Sequence, residues 1–167
     1  MTHRSIHSKL LASTFAGLLS GAPVVLAGAV TLLNPDVAQA GVTSASCRIH
    51  AVEATPEGDG TIPKDLEFLA EQLQAPEFAR FRGFRLVEVK DFKLELGKVV
   101  DQKFKSGHNV KLSLLGGEQD KLELHTELLR GGTSVVKMDI LLKFAQVVLI
   151  PVRRGDQAII FAYQCKS

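Results

Sequence analysis

The sequence predicts a mainly β fold: an antiparallel meander forming a sandwich or small barrel, with one short α-helix near the mature N-terminus. Three observations lead there. From Cys47 onward apolar residues mostly recur with a period of two, turn-forming clusters interrupt them about every ten residues, and a single segment departs to helical spacing.

The elements follow in order. Met1 to Lys9 carries Arg4 and Lys9 and no acid, Leu10 to Leu33 is almost wholly apolar or small, and Ala38-Gln39-Ala40 fits a small-x-small cleavage site before Gly41. Residues 1–40 therefore read as a cleaved signal peptide. Because Leu10 to Leu33 is long enough to cross a hydrocarbon layer of ~30 Å, the alternative is a retained anchor; Gly17, Gly21, Pro23 and Gly28 interrupt the run and favour cleavage. Residues 41–46 read as a short linker and 47–167 as a single β-rich domain, a size that buries enough surface to fold without a metal.

Within the domain, Ile49 and Ala51 alternate with Arg48 and His50 as a first strand. Leu66, Leu69 and Leu73 then recur at helical spacing, with Asp65 as the expected cap and Pro76 as the stop. Phe84, Leu86, Phe92, Leu94 and Leu96 share one parity, as do Val110, Leu112 and Leu114, and then Leu122, Leu124 and Leu128. Turns fall at Gly97-Lys98, Ser106 to Asn109, Gly116 to Asp120, Arg130 to Thr133 and Arg153 to Asp156. The last two strands, Val147 to Ile150 and Ala158 to Ala162, are apolar on both faces, so something must cover each side. The helix of Leu66 to Leu73 is the expected cover.

Cys47 and Cys165 lie at opposite ends of the domain, and behind an export signal they are expected to form a disulfide. From Gly41 onward 18 basic residues face 17 acidic ones, a balance that argues against strong polyanion binding; export argues further against nucleic acid as a partner. The chain contains no Trp and only Tyr163, which speaks against an aromatic sugar platform.

Candidate chemistry is sparse. Glu123, His125 and Glu127 project from one side of a strand and form a weak metal candidate. Leu122, Leu124 and Leu128 occupy the other side, so the polar set is what the wet face of a half-buried strand requires. Pairing through the Gly116 to Asp120 turn would set Lys111 near His125, an unfavourable neighbour for a cation. No cofactor is implied, and no H-E-x-x-H, G-x-S-x-G or Walker pattern occurs.

Phe78, Arg80, Phe81, Arg82, Phe84 and Arg85 interleave rings and charges, a pattern suited to an interaction surface. The competing account plugs the three rings between helix and second strand and leaves the arginines outside. Val148, Ile150, Ile159 and Phe161 form a candidate apolar strip for a ligand or partner. Arg154-Gly155-Asp156 matches the tripeptide that integrin-binding adhesion proteins display, but a hairpin needs a glycine at that place.

The function these features favour is an exported, non-catalytic binding or assembly module of the cell envelope or secreted space, periplasmic or extracellular, with a protein partner there. A carrier of a small apolar or lipid ligand is the alternative, and an exported hydrolase using Glu123 or His125 a lesser one. A membrane tether follows only if the leader is retained.

Overall fold

The computed structural model describes residues 41–166, so the leader read over residues 1–40, cleaved or anchored, lies outside the described residues. Eight strands run alternately up and down: β1 (Ser44–Thr55), β2 (Gly83–Glu95), β3 (Val99–Lys103), β4 (His108–Gly117), β5 (Lys121–Arg130), β6 (Thr133–Lys143), β7 (Val147–Arg154) and β8 (Gln157–Lys166). They form two antiparallel sheets of four, ordered β2-β1-β8-β7 and β3-β4-β5-β6. The fold is thus a β-sandwich made from one meander. Among the described residues no helix is long and apolar enough to cross a membrane.

Strand β1 begins inside the stretch read as linker. Ser44, Ala45 and Ser46 pair with Glu95, Leu94 and Lys93, and Ala45 is buried, because small residues extend readily beside the last turn of the β2 ladder.

Between β1 and β2 the chain forms a helical segment in three pieces: a 3-10 helix (Lys64–Leu69), helix α1 (Ala70–Leu73) and a second 3-10 helix (Pro76–Phe78). The leucine spacing explains the change of winding. Leu66 and Leu69 are three apart, which aligns them on a three-residue turn, whereas Leu69 and Leu73 are four apart, as an α turn prefers. The expected cap at Asp65 is not used. Pro63 occupies the cap position, its carbonyl accepts from the Leu66 N–H at 2.9 Å, and Asp65 falls within the first turn, where its charge suits the helix start.

Two apolar layers result. Between the sheets lie Cys47, Ile49, Phe92, Leu94, Leu112, Leu124, Leu142, Phe161 and Tyr163 with their neighbours. On the outer face of the first sheet, Leu66, Leu69 and Leu73 cover Val52, Ala54, Ala158, Ile160 and Ala162. This second layer is why β8 needs apolar residues on both faces. Thr126 and Tyr163 meet across the core through their hydroxyls at 2.8 Å, and burial pushes the Tyr163 phenol above its ordinary range.

The shared parity of Phe84, Leu86, Phe92 and Leu94 does not give them a shared face. Val52 pairs with Leu86 but Ala51 pairs with Glu88, so Val87 is a β-bulge. Phe84 and Leu86 accordingly face the helical segment, while Phe92 and Leu94 face the other sheet.

The loop that leaves β1 crosses the start of β2 closely. The Arg82 N–H donates to the Thr55 carbonyl at 2.8 Å, and the Gly60 N–H to the Arg82 carbonyl at 2.9 Å. A Cβ on Gly83 would collide with the Glu57 carbonyl oxygen and lie 2.6 Å from Thr55 Oγ1. Gly83→Ala is therefore expected to lower stability by about 1–3 kcal/mol, the range for overpacking; urea unfolding measures it, and an unchanged midpoint would show that the crossing yields.

Candidate functional site

The first sequence-derived surface divides cleanly. Phe78, Phe81 and Phe84 are buried against the outer layer, and their arginine neighbours stay outside. The Arg80 guanidinium lies 4.5 Å over the Phe81 ring, and Arg85 donates to Glu53 Oε2 at 2.7 Å. Arg82 is exposed. Val148, Ile150, Ile159 and Phe161 point inward and belong to the packing between the sheets, so no surface strip is made of them. Their outward neighbours on β7, Val147 and Leu149, face the helical segment.

Glu123, His125 and Glu127 stand on the outer face of the second sheet. Glu127 lies 3.7 Å from Lys111 Nζ; a hydrogen bond from Ser134 and the nearby lysines hold its carboxyl below the usual range. His125 Nδ1 meets Asp139 Oδ1 at 2.5 Å. Among the described residues no three His, Cys, Asp or Glu side chains are placed to hold one metal ion. The β4–β5 hairpin closes between Glu118 and Lys121, later than the expected pairing assumed, and with a one-residue bulge between Leu114 and Gly116 Lys111 opposes Glu127 and Ser113 opposes His125. The result is a row of Ser113, His125 and Asp139 across three strands that spacing alone did not reveal.

A concave surface lies on the other sheet. The helical segment lies over β1 and β8 and reaches only part of β7, which is the edge strand of its sheet. Along this boundary runs a furrow. A cavity of about 400 Å³ lies between α1 and β7, bordered by Glu71, Gln72, Phe78, Val147 and Leu149. One of about 380 Å³, sharing Gln72 and Val147, continues towards Phe68 and Gln164. One of about 220 Å³, sharing Phe78 and Leu149, continues to Arg80, Pro151 and Arg153. The shared walls make these one groove with an apolar floor, carboxylates of Glu71 and Glu77 near its middle, and two guanidinium groups at one end. Gln72 Oε1 is buried beside it with no hydrogen-bond partner among the described residues.

No protein-family model, curated protein or solved structure matches this chain. Its function must therefore be argued from its own residues.

Two histidines flank the site region without entering it. His50, on the outer face of β1, packs 4.7 Å from the Phe68 ring; His108, on the inner face of β4, packs edge-on to Phe161 at 5.5 Å. His50 Nδ1 and His108 Nε2 are buried and have no hydrogen-bond partner among the described residues. Burial pushes both imidazoles below their ordinary value, assisted by Arg48 beside His50 and by Arg130 and Arg154 near His108. The unfolded chain thus binds protons that the folded chain refuses. The stability these neutral rings contribute is full above the ordinary histidine range, about pH 6.5, and is lost as pH falls through and below it. Urea midpoints are expected to drop between about pH 7.5 and pH 5, with a shallower drop in His108→Leu. Parallel pH profiles would rule out His108 as a contributor.

The disulfide expected from the sequence is present between Cys47 and Cys165, and it points to a non-cytoplasmic compartment.

Proposed function

We propose that this chain is an exported, non-catalytic binding module of the cell envelope or secreted space, and that it holds a protein partner in the groove between the helical segment and β7. The groove carries the reading. It joins an apolar floor at Val147, Leu149 and Phe78 to charged walls, and it borders a sheet edge that no strand among the described residues covers. Export is supported by the leader pattern of residues 1–40 and by the bridge, which an oxidising compartment sustains. A carrier would need the inner strip of Val148, Ile150, Ile159 and Phe161 open to a ligand, and those side chains are taken up by the core.

Two measurements test the proposal. Intact mass spectrometry of protein recovered from its own cells is expected to give a chain beginning at Gly41 and two hydrogens lighter than the reduced form. A photo-reactive residue in place of Leu149 is expected to yield a defined adduct in those cells, whereas one in place of Glu123, on the other sheet, yields none. Equal labelling at both places, or none at Leu149, would overturn the groove. Alanine at Glu123 and His125 is expected to leave the Leu149 adduct intact.

A further inference from the structure

Resting on that reading of the groove, we propose that β7 receives its partner as an added β-strand, an extended polypeptide segment with a small polar residue, apolar residues and an acid at alternate positions. The ladder itself shows which backbone groups are free. β7 and β8 are joined by the two-residue turn Gly155-Asp156, whose glycine has φ 62°, and they pair without a bulge from Arg154 with Gln157 to Val147 with Gln164. In such a hairpin the pair closing the turn exchanges both hydrogen bonds, and bonding alternates from there. Arg154, Val152, Ile150 and Val148 therefore bond to β8. Val147, Leu149, Pro151 and Arg153 direct their backbone groups to the open edge.

Pro151 fits this count, since its missing N–H falls on the free side and costs the sheet nothing. It also divides the edge: Val147 and Leu149 can exchange bonds with an incoming strand, while Pro151 can only accept. The same four residues point their side chains outward and line the groove. A strand laid along this edge would thus place its own alternate side chains over Val147, Leu149, Pro151 and Arg153 in turn.

The walls then specify those side chains. Near Val147 the Gln72 amide side chain lines the groove and suits a small polar group. Beside Leu149 and Pro151, Phe78 and Phe81 present an apolar wall. At Arg153, Arg80 supplies a second guanidinium; against the single carboxylate of Glu77 on the same wall the two leave this end net positive, which favours a carboxylate over an ammonium. The compartments are linked but separate, which suits alternating side chains better than one rigid ligand.

The test uses protein in the processed state in which its cells hold it, isotope-labelled. The probes are seven-residue peptides with threonine, valine, valine and aspartate at alternate positions, made in both chain directions, and counterparts with lysine in place of aspartate. One direction of the aspartate peptide is expected to slow hydrogen exchange at the Val147 and Leu149 amides and to bind about five- to tenfold more tightly than its lysine counterpart. Arg153→Glu is expected to reverse that preference. Leu149→Pro removes an outward N–H without touching the β8 ladder and is expected to abolish binding with an unchanged circular dichroism spectrum. Shifts at Gln72 and Phe78 without amide protection would overturn strand addition and leave the groove reading standing. Protection that grows with protein concentration in the absence of peptide would assign the edge to a second copy and overturn the partner strand. No response on this face would overturn strand addition while a Leu149 adduct persists in cells, and both proposals if the adduct is also absent.

Discussion

Replacing Cys47 and Cys165 together by alanine is expected to lower stability by about 4 to 5 kcal/mol and the unfolding temperature by on the order of 10 to 20 °C. The bridge joins directly opposed residues of β1 and β8, strands from opposite ends of the domain, 118 residues apart in sequence. In the unfolded chain it closes nearly the whole domain into one loop, and the entropy it removes grows with the logarithm of that length. The folded sheet has less need of it. β1 and β8 are paired continuously from Ser46 with Lys166 to Ala54 with Ala158, so their ladder holds the geometry when the sulfurs are gone.

The double variant should therefore keep its far-ultraviolet spectrum and lose only resistance to denaturant. Dithiothreitol is expected to bring the parent protein to the variant's midpoint and to leave the variant where it is. Coincident midpoints for the parent and variant under non-reducing conditions would sink the expectation. The same linkage gives the bridge a role in the proposed site. β8 is the strand on which the β7 edge is built, so fixing β8 to β1 also steadies the surface offered to a partner.

Much of this architecture was legible because burial imposes a period on the sequence. The alternation at Leu122, Leu124 and Leu128 marks a strand with one buried face, and the doubled apolar faces of Val147 to Ile150 and Ala158 to Ala162 demand a second cover, which Leu66, Leu69 and Leu73 supply. What the period cannot locate is a bulge. One extra residue at Val87 sends Phe84 and Phe92 to opposite faces despite their equal parity. Another at Leu115 sets Ser113 rather than Leu114 directly across from His125. The groove was hidden for a related reason. Inward Val148 and Ile150 and outward Val147 and Leu149 are equally apolar, and only the placement of the helical segment and the edge position of β7 decide which pair a partner can reach. The interleaved Phe and Arg residues carried their answer more openly, because rings three apart beside a helix stop make a plug whose charged neighbours must lie outside.

Phe161→Ala is expected to cost about 3 to 5 kcal/mol, the range for emptying a buried aromatic site. Phe161 is fully buried at the middle of the inner face of β8. Its ring meets Phe104 edge to face at 5.5 Å and His108 at 5.5 Å; Phe104 opens the turn between β3 and β4, and His108 is the first residue of β4. That turn is closed by the Phe104 N–H donating to the His108 carbonyl at 2.7 Å, so one side chain of the first sheet packs against both residues that close it. Phe161→Leu keeps most of the volume and loses the edge contacts, and is expected to cost about 1 to 2 kcal/mol. The gap between the two variants separates the cavity from the ring geometry, and costs equal within about 0.5 kcal/mol would remove the cavity from the account. His108 supplies an independent readout. With the phenyl ring gone, water reaches the imidazole and relieves the burial that holds it neutral, so less of its contribution remains to be lost in acid. The stability gap between parent and Phe161→Ala should therefore narrow as pH falls below about 6.5, because only the parent still resists protonating that ring.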